Sequence, residues 1–173
     1  MAILPLFGGH ETTANMIALG TLALLQHHDL VARVRENSDD PRLIASTVEE
    51  LLRYLSITHV GRRRVALEDI DIDGVTIRAG ESVIVANDIA NRDPAVFDEP
   101  DRLDIDRNAR QHLAFGFGVH QCLSQPLARM ELQVVYSTLY RRIPTLQLAT
   151  ELDQVPFKHD GLIYGVYAMP VTW

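Results

Sequence analysis

The 173-residue sequence predicts one domain of the α+β class, mainly α with small β-sheets. Apolar residues recur at helical spacing over residues 6–26, 28–37 and 40–54. From residue 65 the apolar spacing becomes that of short strands, and helical spacing returns once, over residues 122–141. Helices therefore come first along the chain, and small sheets follow.

Capping and turn residues mark the ends of these elements. Asp40-Pro41 predicts a helix start, because aspartate caps the first N–H groups and proline suits the first turn. Asp73-Gly74 predicts a hairpin turn, and Ala79-Gly80 predicts a second turn. Residues 87–110 are polar and lack a sustained period, so a long irregular segment is expected. The tail over residues 146–173 alternates enough for a few short strands.

The overall composition limits the class of partner and compartment. The formal net charge of −7 argues against nucleic acid or an anionic membrane as a partner. The chain has one cysteine, which excludes an intrachain disulfide and gives no sign of an oxidising compartment. No run of about eighteen apolar residues occurs, so a transmembrane helix is not expected.

The run from Phe115 to Leu123, FGFGVHQCL, is the strongest candidate for chemistry. A single cysteine is most often an inert buried thiol. Here Gly116 and Gly118 allow the backbone to turn tightly and to approach a flat ligand closely. Cys122 begins a predicted helix, whose partial positive charge favours the thiolate form. A thiolate presented in this way suits an axial metal ligand.

This run resembles the haem-binding loop of the cytochrome P-450 family, Phe-Gly-x-Gly-x-His/Arg-x-Cys-x-Gly/Ala. The resemblance implies that Cys122 is the thiolate ligand of the haem iron, with haem contacts from Phe115, Gly116 and Gly118. Ser124 stands where the family has glycine or alanine. Its hydroxymethyl group either crowds the haem or donates a hydrogen bond near the sulfur, and both alternatives remain open.

A second motif, Gly8-Gly9-His10-Glu11-Thr12, is by itself compatible with a kinked helix that carries solvated side chains. It also resembles the family's oxygen-activation stretch, Ala/Gly-Gly-x-Asp/Glu-Thr. The resemblance implies that Gly9 leaves space for dioxygen, that Thr12 hydrogen-bonds the bound oxygen and that Glu11 relays protons. A His-Glu-x-x-His zinc site would need histidine where Ala14 stands.

Glu50 and Arg53 share one face of the third helix, where such a pair is usually exposed and contributes little. They also match the family's Glu-x-x-Arg. The resemblance implies that these two residues and Arg102 form a buried structural cluster that braces the haem loop. Arginine suits this role because its planar fork bonds carboxylates and carbonyls together.

Three further residues are candidate contacts for the haem propionates. Arg64 belongs to a run of three arginines that composition alone would describe as solvated. It also fits an Arg-x-Ala element whose arginine binds a propionate in the family. His112 and His120 occupy positions where family members also bond propionates.

The resemblance implies a haem-thiolate monooxygenase that uses haem b, O2 and electrons from NAD(P)H through a reductase and a ferredoxin-type redox partner. The substrate is expected to be a small organic molecule, and Arg129 and Arg141-Arg142 are candidates for a basic docking face. The alternative is a truncated remnant, haem-binding or cofactor-free, that acts as an interaction module. A peroxide-driven variant would replace the acid–threonine pair, which is intact here as Glu11-Thr12.

Complete family members are considerably longer, and their N-terminal half has no counterpart in residues 1–173. We therefore expect a single partial domain, the C-terminal haem-binding part of the family fold, that begins within a helix. An exposed apolar face should lie where the missing half would pack, and it could support association. The sequence of the haem loop resembles that of the soluble bacterial branch of the family. This resemblance implies a cytoplasmic protein without a membrane anchor.

Overall fold

The computed structural model describes residues 3–58 and 62–173, and the side chains of residues 8–58 and 63–173. In this part of the chain the α-helices are α1 (Ile3–Leu25), α2 (His28–Glu36), α3 (Pro41–Tyr54), α4 (Asn87–Ala90) and α5 (Gln125–Arg142). The strands are β1 (Arg62–Val65), β2 (Ile70–Ile72), β3 (Val75–Ile77), β4 (Ser82–Val85), β5 (Gln147–Leu148) and β6 (Val171–Thr172). They pair antiparallel as β1–β4, β2–β3 and β5–β6. Single 3₁₀ turns cover Gly118–His120 and Leu152–Gln154.

Local sequence signals account for the start of α3 and for the turn between β2 and β3. The carboxylate of Asp40 accepts hydrogen bonds from the backbone N–H groups of Arg42 and Leu43, at 2.8 and 3.4 Å. The predicted start of α3 is therefore confirmed, with its cap. Asp73 and Gly74 have φ values of 49° and 82°, the left-handed conformation that a tight turn between β2 and β3 requires.

Two boundary predictions are corrected. The helix predicted from residue 122 begins at Gln125, because the glycine-rich run before it forms a 3₁₀ turn and Ser124 is the N-cap of α5. Cys122 therefore precedes the helix instead of opening it. The polar segment over residues 87–110 is irregular apart from α4 at its start.

The hydrophobic core lies between α1, α2, α3 and α5. Its fully buried side chains include Leu24, Val34, Val48, Leu51, Ile105, Leu132, Tyr136 and Tyr140. The Tyr136 hydroxyl lies 3.3 Å from the carbonyl oxygens of Met16 and Ile17, and it occupies the space above Gly20. Burial raises the pKa of Tyr136 far above its ordinary value, so this hydroxyl is a neutral donor to α1.

An apolar stripe on α5 faces solvent. Leu127, Met130 and Val134 are all at least half exposed, at spacings of three and four residues that place them along one side of the helix. The expectation that such a face lies where the N-terminal half of the family fold would pack stays a prediction. No helix within the described residues combines the length and apolar character that a membrane crossing needs.

Candidate functional site

The loop over residues 115–122 is closed by a hydrogen bond at its base. The backbone N–H of Cys122 donates to the carbonyl oxygen of Phe115 at 2.9 Å. Gly116 and Gly118 have φ values of 73° and 77°, which explains why both positions are glycine. The Cys122 thiol is partly exposed. The loop residues predicted from sequence are therefore brought together, with a half-buried Cys122 at one end.

Three apolar residues close to Cys122 in the sequence are exposed to solvent. Phe117, Val119 and Leu123 are 86%, 96% and 92% exposed. Exposed apolar residues in the same loop as a half-buried cysteine fit a flat, largely apolar ligand that carries a metal. Ser124 makes no capping hydrogen bond through its side chain, and neither role considered for it is tested by the structure.

The second predicted motif lies in α1. A Cβ atom at Gly8 or Gly9 would have no neighbour within 4 Å, so this side of the helix borders open space. The Thr12 hydroxyl donates to the Gly8 carbonyl at 2.5 Å. The exposed carboxylate of Glu11 lies 3.5 Å from Nζ of Lys158, a residue that the sequence did not single out. Thr12 therefore bonds within α1, whereas Glu11 contacts the C-terminal tail.

Arg53 is buried in α3 and uses all five of its N–H donors. Nε and Nη2 donate to the two carboxylate oxygens of Glu50 at 2.7 and 2.8 Å. Nη1 donates to the carbonyls of Asn91 and Pro100 at 2.9 and 2.8 Å, and Nη2 donates to that of Arg102 at 3.2 Å. Both charged side chains are inaccessible to solvent. The pair thus joins α3 to the segment that leads into the loop over residues 115–122.

The prediction that the Arg102 side chain joins this cluster is wrong. Its side chain is 59% exposed and pairs with Glu99 and Asp104. The inward arginine is Arg107, whose Nε lies 3.3 Å from Glu50 Oε1. The physical reason is that burial alternates along this segment of bends and turns: the side chains of residues 103, 105 and 107 are mostly buried, and those of 102, 104 and 106 are more exposed.

A second buried cluster, which the sequence did not reveal, lies next to the first. Glu49 receives hydrogen bonds from Arg129 Nε and Nη2 at 2.6 and 3.1 Å, and from His112 Nε2 at 3.0 Å. Burial alone would raise the pKa of Glu49, but the hydrogen bonds from His112 and Arg129 outweigh it and hold the pKa at about 2. Glu49 is therefore a buried carboxylate anion.

This cluster corrects two predictions. His112 is buried, and its Nδ1 accepts the Ala114 N–H at 3.1 Å while Nε2 bonds Glu49, so neither ring nitrogen is free for a propionate. Arg129 is held by Glu49 and is not part of an open basic face. Arg141 likewise pairs with Asp39 at 3.0 Å.

The other two candidates for propionate contacts are accessible. Arg64 lies in β1, and its Nη1 donates to the Arg63 carbonyl at 2.9 Å. His120 is exposed at the end of the 3₁₀ turn that follows Gly118. Each side chain is open to an anionic group.

A family model described as Cytochrome P-450 matches residues 2–147. The chain belongs to the cytochrome P-450 family. Cytochrome P-450 GfsF of Streptomyces halstedii is 64% identical over 167 residues, which cover 95% of this chain and 40% of that protein. The 20-oxo-5-O-mycaminosyltylactone 23-monooxygenase of Streptomyces fradiae is 49% identical over 99% of the chain.

Solved P-450 structures agree with the fold. The crystal structure of cytochrome P-450 MoxA from Nonomuraea recticatena matches with a TM-score of 0.93 and 56% identity, over 99% of this chain and 42% of that one. The predicted fold class, a mainly α part of the P-450 fold with small sheets, is confirmed. The chain spans about 40% of the length of the P-450 relatives that it matches.

Proposed function

We propose that this chain binds haem through Cys122 and serves in the monooxygenation of a small organic substrate. The observation that carries the proposal is the half-buried Cys122, whose backbone N–H donates to the Phe115 carbonyl and whose loop also carries the exposed apolar residues Phe117 and Val119. When bound, a b-type haem would supply an iron centre that activates O2, and the thiolate would favour cleavage of the O–O bond.

Different residues of the loop and of β1 would contact different parts of the haem. Cys122 would ligate the iron, while Phe117, Val119 and Leu123 would cover the apolar part of the macrocycle. Arg64 and His120 are exposed and carry N–H donors, so they would pair with the propionates.

The Gly9–Thr12 stretch of α1 would handle oxygen and protons. The open space beside Gly9 would accommodate a diatomic gas, since no Cβ fills it. Thr12 Oγ1 carries a proton that it now donates to the Gly8 carbonyl and could redirect. Glu11 is exposed and would exchange protons with solvent, with Lys158 holding its carboxylate near α1.

Electrons would come from NAD(P)H through a reductase and a ferredoxin-type protein in the cytoplasm. Arg129 and Arg141 are paired with Glu49 and Asp39 of the same chain, so docking of the ferredoxin-type protein would rely on other side chains. A non-catalytic remnant is less well supported, because Cys122, Glu11 and Thr12 are all present and a relative of 49% identity is named as a monooxygenase.

The experiment is a difference spectrum of the dithionite-reduced, haem-reconstituted chain with carbon monoxide. The proposal expects a thiolate-type Soret band that is lost in Cys122→Ala and kept in Ser124→Ala, the matched control beside the ligand. A chain that takes up no haem, or a band that survives Cys122→Ala, would contradict the assignment. Labelled O2 appearing in a hydroxylated product would then test turnover.

A further inference from the structure

Three elements of the fold meet at one buried carboxylate. Glu49 belongs to α3, Arg129 belongs to α5, and His112 lies in the segment just before the haem loop. Arg129 grips the carboxylate with two donors, at 2.6 and 3.1 Å, and His112 adds a third at 3.0 Å. These three residues are called the clamp below.

The clamp contacts the base of the haem loop at two points. His112 Nδ1 accepts the N–H of Ala114, the residue immediately before Phe115, at 3.1 Å. The guanidinium carbon of Arg129 lies 4.6 Å from the centre of the Phe115 ring, a cation–π distance. The carbonyl of the same Phe115 accepts the Cys122 N–H. A continuous series of contacts therefore runs from Glu49 to the backbone of the cysteine.

The chemistry of each member suits positioning better than bulk stabilisation. A buried ion pair is weak evidence for stability, since desolvation offsets much of the attraction, although it can specify one arrangement. A backbone N–H can only donate, so His112 Nδ1 accepts and the ring proton sits on Nε2, facing Glu49. Arg129 needs its fork for Glu49 and its flat face for Phe115 at once, which lysine cannot reproduce.

We propose that the clamp of Glu49, His112 and Arg129 positions the haem loop, so that Cys122 is presented in ligating geometry before haem binds. The proposal deepens the proposed function and rests on it for the identity of the ligand. Its members are positioning residues, because they act through Phe115 and do not touch the reacting atoms.

The test uses Cys122 as its own probe, because the chain has no other cysteine. In the haem-free wild-type chain, the clamp is expected to hold the loop closed. Arg129→Lys keeps the positive charge but loses the pair of N–H donors to Glu49 and the planar group that lies over the Phe115 ring. The rate of alkylation by iodoacetamide should rise about tenfold, as expected when one charge-assisted hydrogen bond no longer opposes opening of the loop. In the haem-loaded variant, the fraction of thiolate-type band should fall.

Two controls separate positioning from general destabilisation. Arg33→Lys alters another two-donor pair with a carboxylate, made by Nη1 and Nη2 of Arg33 with Asp106 at 2.9 and 2.8 Å on the exposed surface, and should leave alkylation unchanged. Tyr136→Phe removes a buried hydroxyl bond far from the loop in sequence. If the clamp only stabilised the fold, the alkylation rate would rise in every variant in proportion to the drop in its melting temperature.

Alkylation of Arg129→Lys no faster than that of Arg33→Lys would overturn the proposal. If Arg129→Lys does not fold, Phe115→Leu is used instead, because it removes the aromatic ring and leaves Glu49 paired. A similar rise in the alkylation rate would support the proposal, and an unchanged rate would overturn it. If the wild-type chain fails to bind haem through sulfur, the proposed function fails, whereas the alkylation comparison in the haem-free chain still decides the clamp.

Discussion

Replacing Arg53 with lysine should destabilise the fold severely, because all five N–H donors of this buried side chain are in use. A lysine ammonium has three donors at a single point. It cannot bond both oxygens of Glu50 and also reach the carbonyls of Asn91 and Pro100, which lie on the other side of the guanidinium. At least two acceptors would therefore remain buried without a donor.

The magnitude follows from the costs of those losses. Disrupting a buried ion pair typically costs about 3–5 kcal/mol, and each buried acceptor left without a partner costs about 1–3 kcal/mol. Residual bonding by the ammonium offsets part of this, so we expect a loss of about 3–5 kcal/mol. Domains are stable by only about 5–15 kcal/mol in total. Arg53→Lys should therefore remove a large share of the stability.

Urea unfolding followed by far-UV circular dichroism measures this loss through linear extrapolation. Arg33→Lys is the matched control, because Arg33 also grips a carboxylate with two donors but lies on the surface, where such pairs are worth less than about 1 kcal/mol. If Arg53→Lys lost no more free energy than Arg33→Lys, the buried network would not have the role assigned to it.

Three further predictions concern stability. Gly20→Ala would place a Cβ 2.0 Å from the Tyr136 hydroxyl oxygen and should lower the free energy of unfolding in urea by about 1–3 kcal/mol. Part of this loss should be recovered when Gly20→Ala is made in a Tyr136→Phe background. A loss of the same size in both backgrounds would contradict this. The pKa of Glu49 is held at about 2, below its ordinary value of 4.5. Its contribution to the free energy of unfolding is therefore fully present above pH 4.5 and is lost as the pH falls toward 2. The stability of wild type should thus fall by about 3 kcal/mol more than that of Glu49→Gln across this acid range, and parallel profiles would refute the assignment. Asp40→Ala should lower stability by about 1 kcal/mol through loss of the α3 cap, and a thermal melt identical to wild type would count against the cap.

The elements that depend on local chemistry were predictable from sequence. The start of α3 follows from Asp40-Pro41, and the β2–β3 turn follows from Asp73-Gly74, since a cap or a turn needs only neighbouring residues. The start of α5 was displaced by three residues, because left-handed Gly118 and the 3₁₀ turn over Gly118–His120 shape the chain just before Cys122, and Ser124 is the N-cap of α5.

The partners of buried charges were harder to predict, because they depend on tertiary packing. Glu49 and Glu50 are neighbours, yet Glu50 bonds Arg53 and Arg107 while Glu49 bonds His112, which lies 63 residues away. No local period reports such a contact. For Arg107 a signal did exist: Leu103 and Ile105 alternate with aspartates, and continuing that alternation places Arg107 inside and Arg102 outside.

Ligation of the haem iron by the sulfur of Cys122 can be measured by X-ray absorption at the iron edge of the haem-loaded chain. Wild type should give one sulfur scatterer in the first shell around iron, and this scatterer should be replaced by a lighter atom in Cys122→Ser. A first shell of nitrogen and oxygen alone in the wild-type chain would contradict the account.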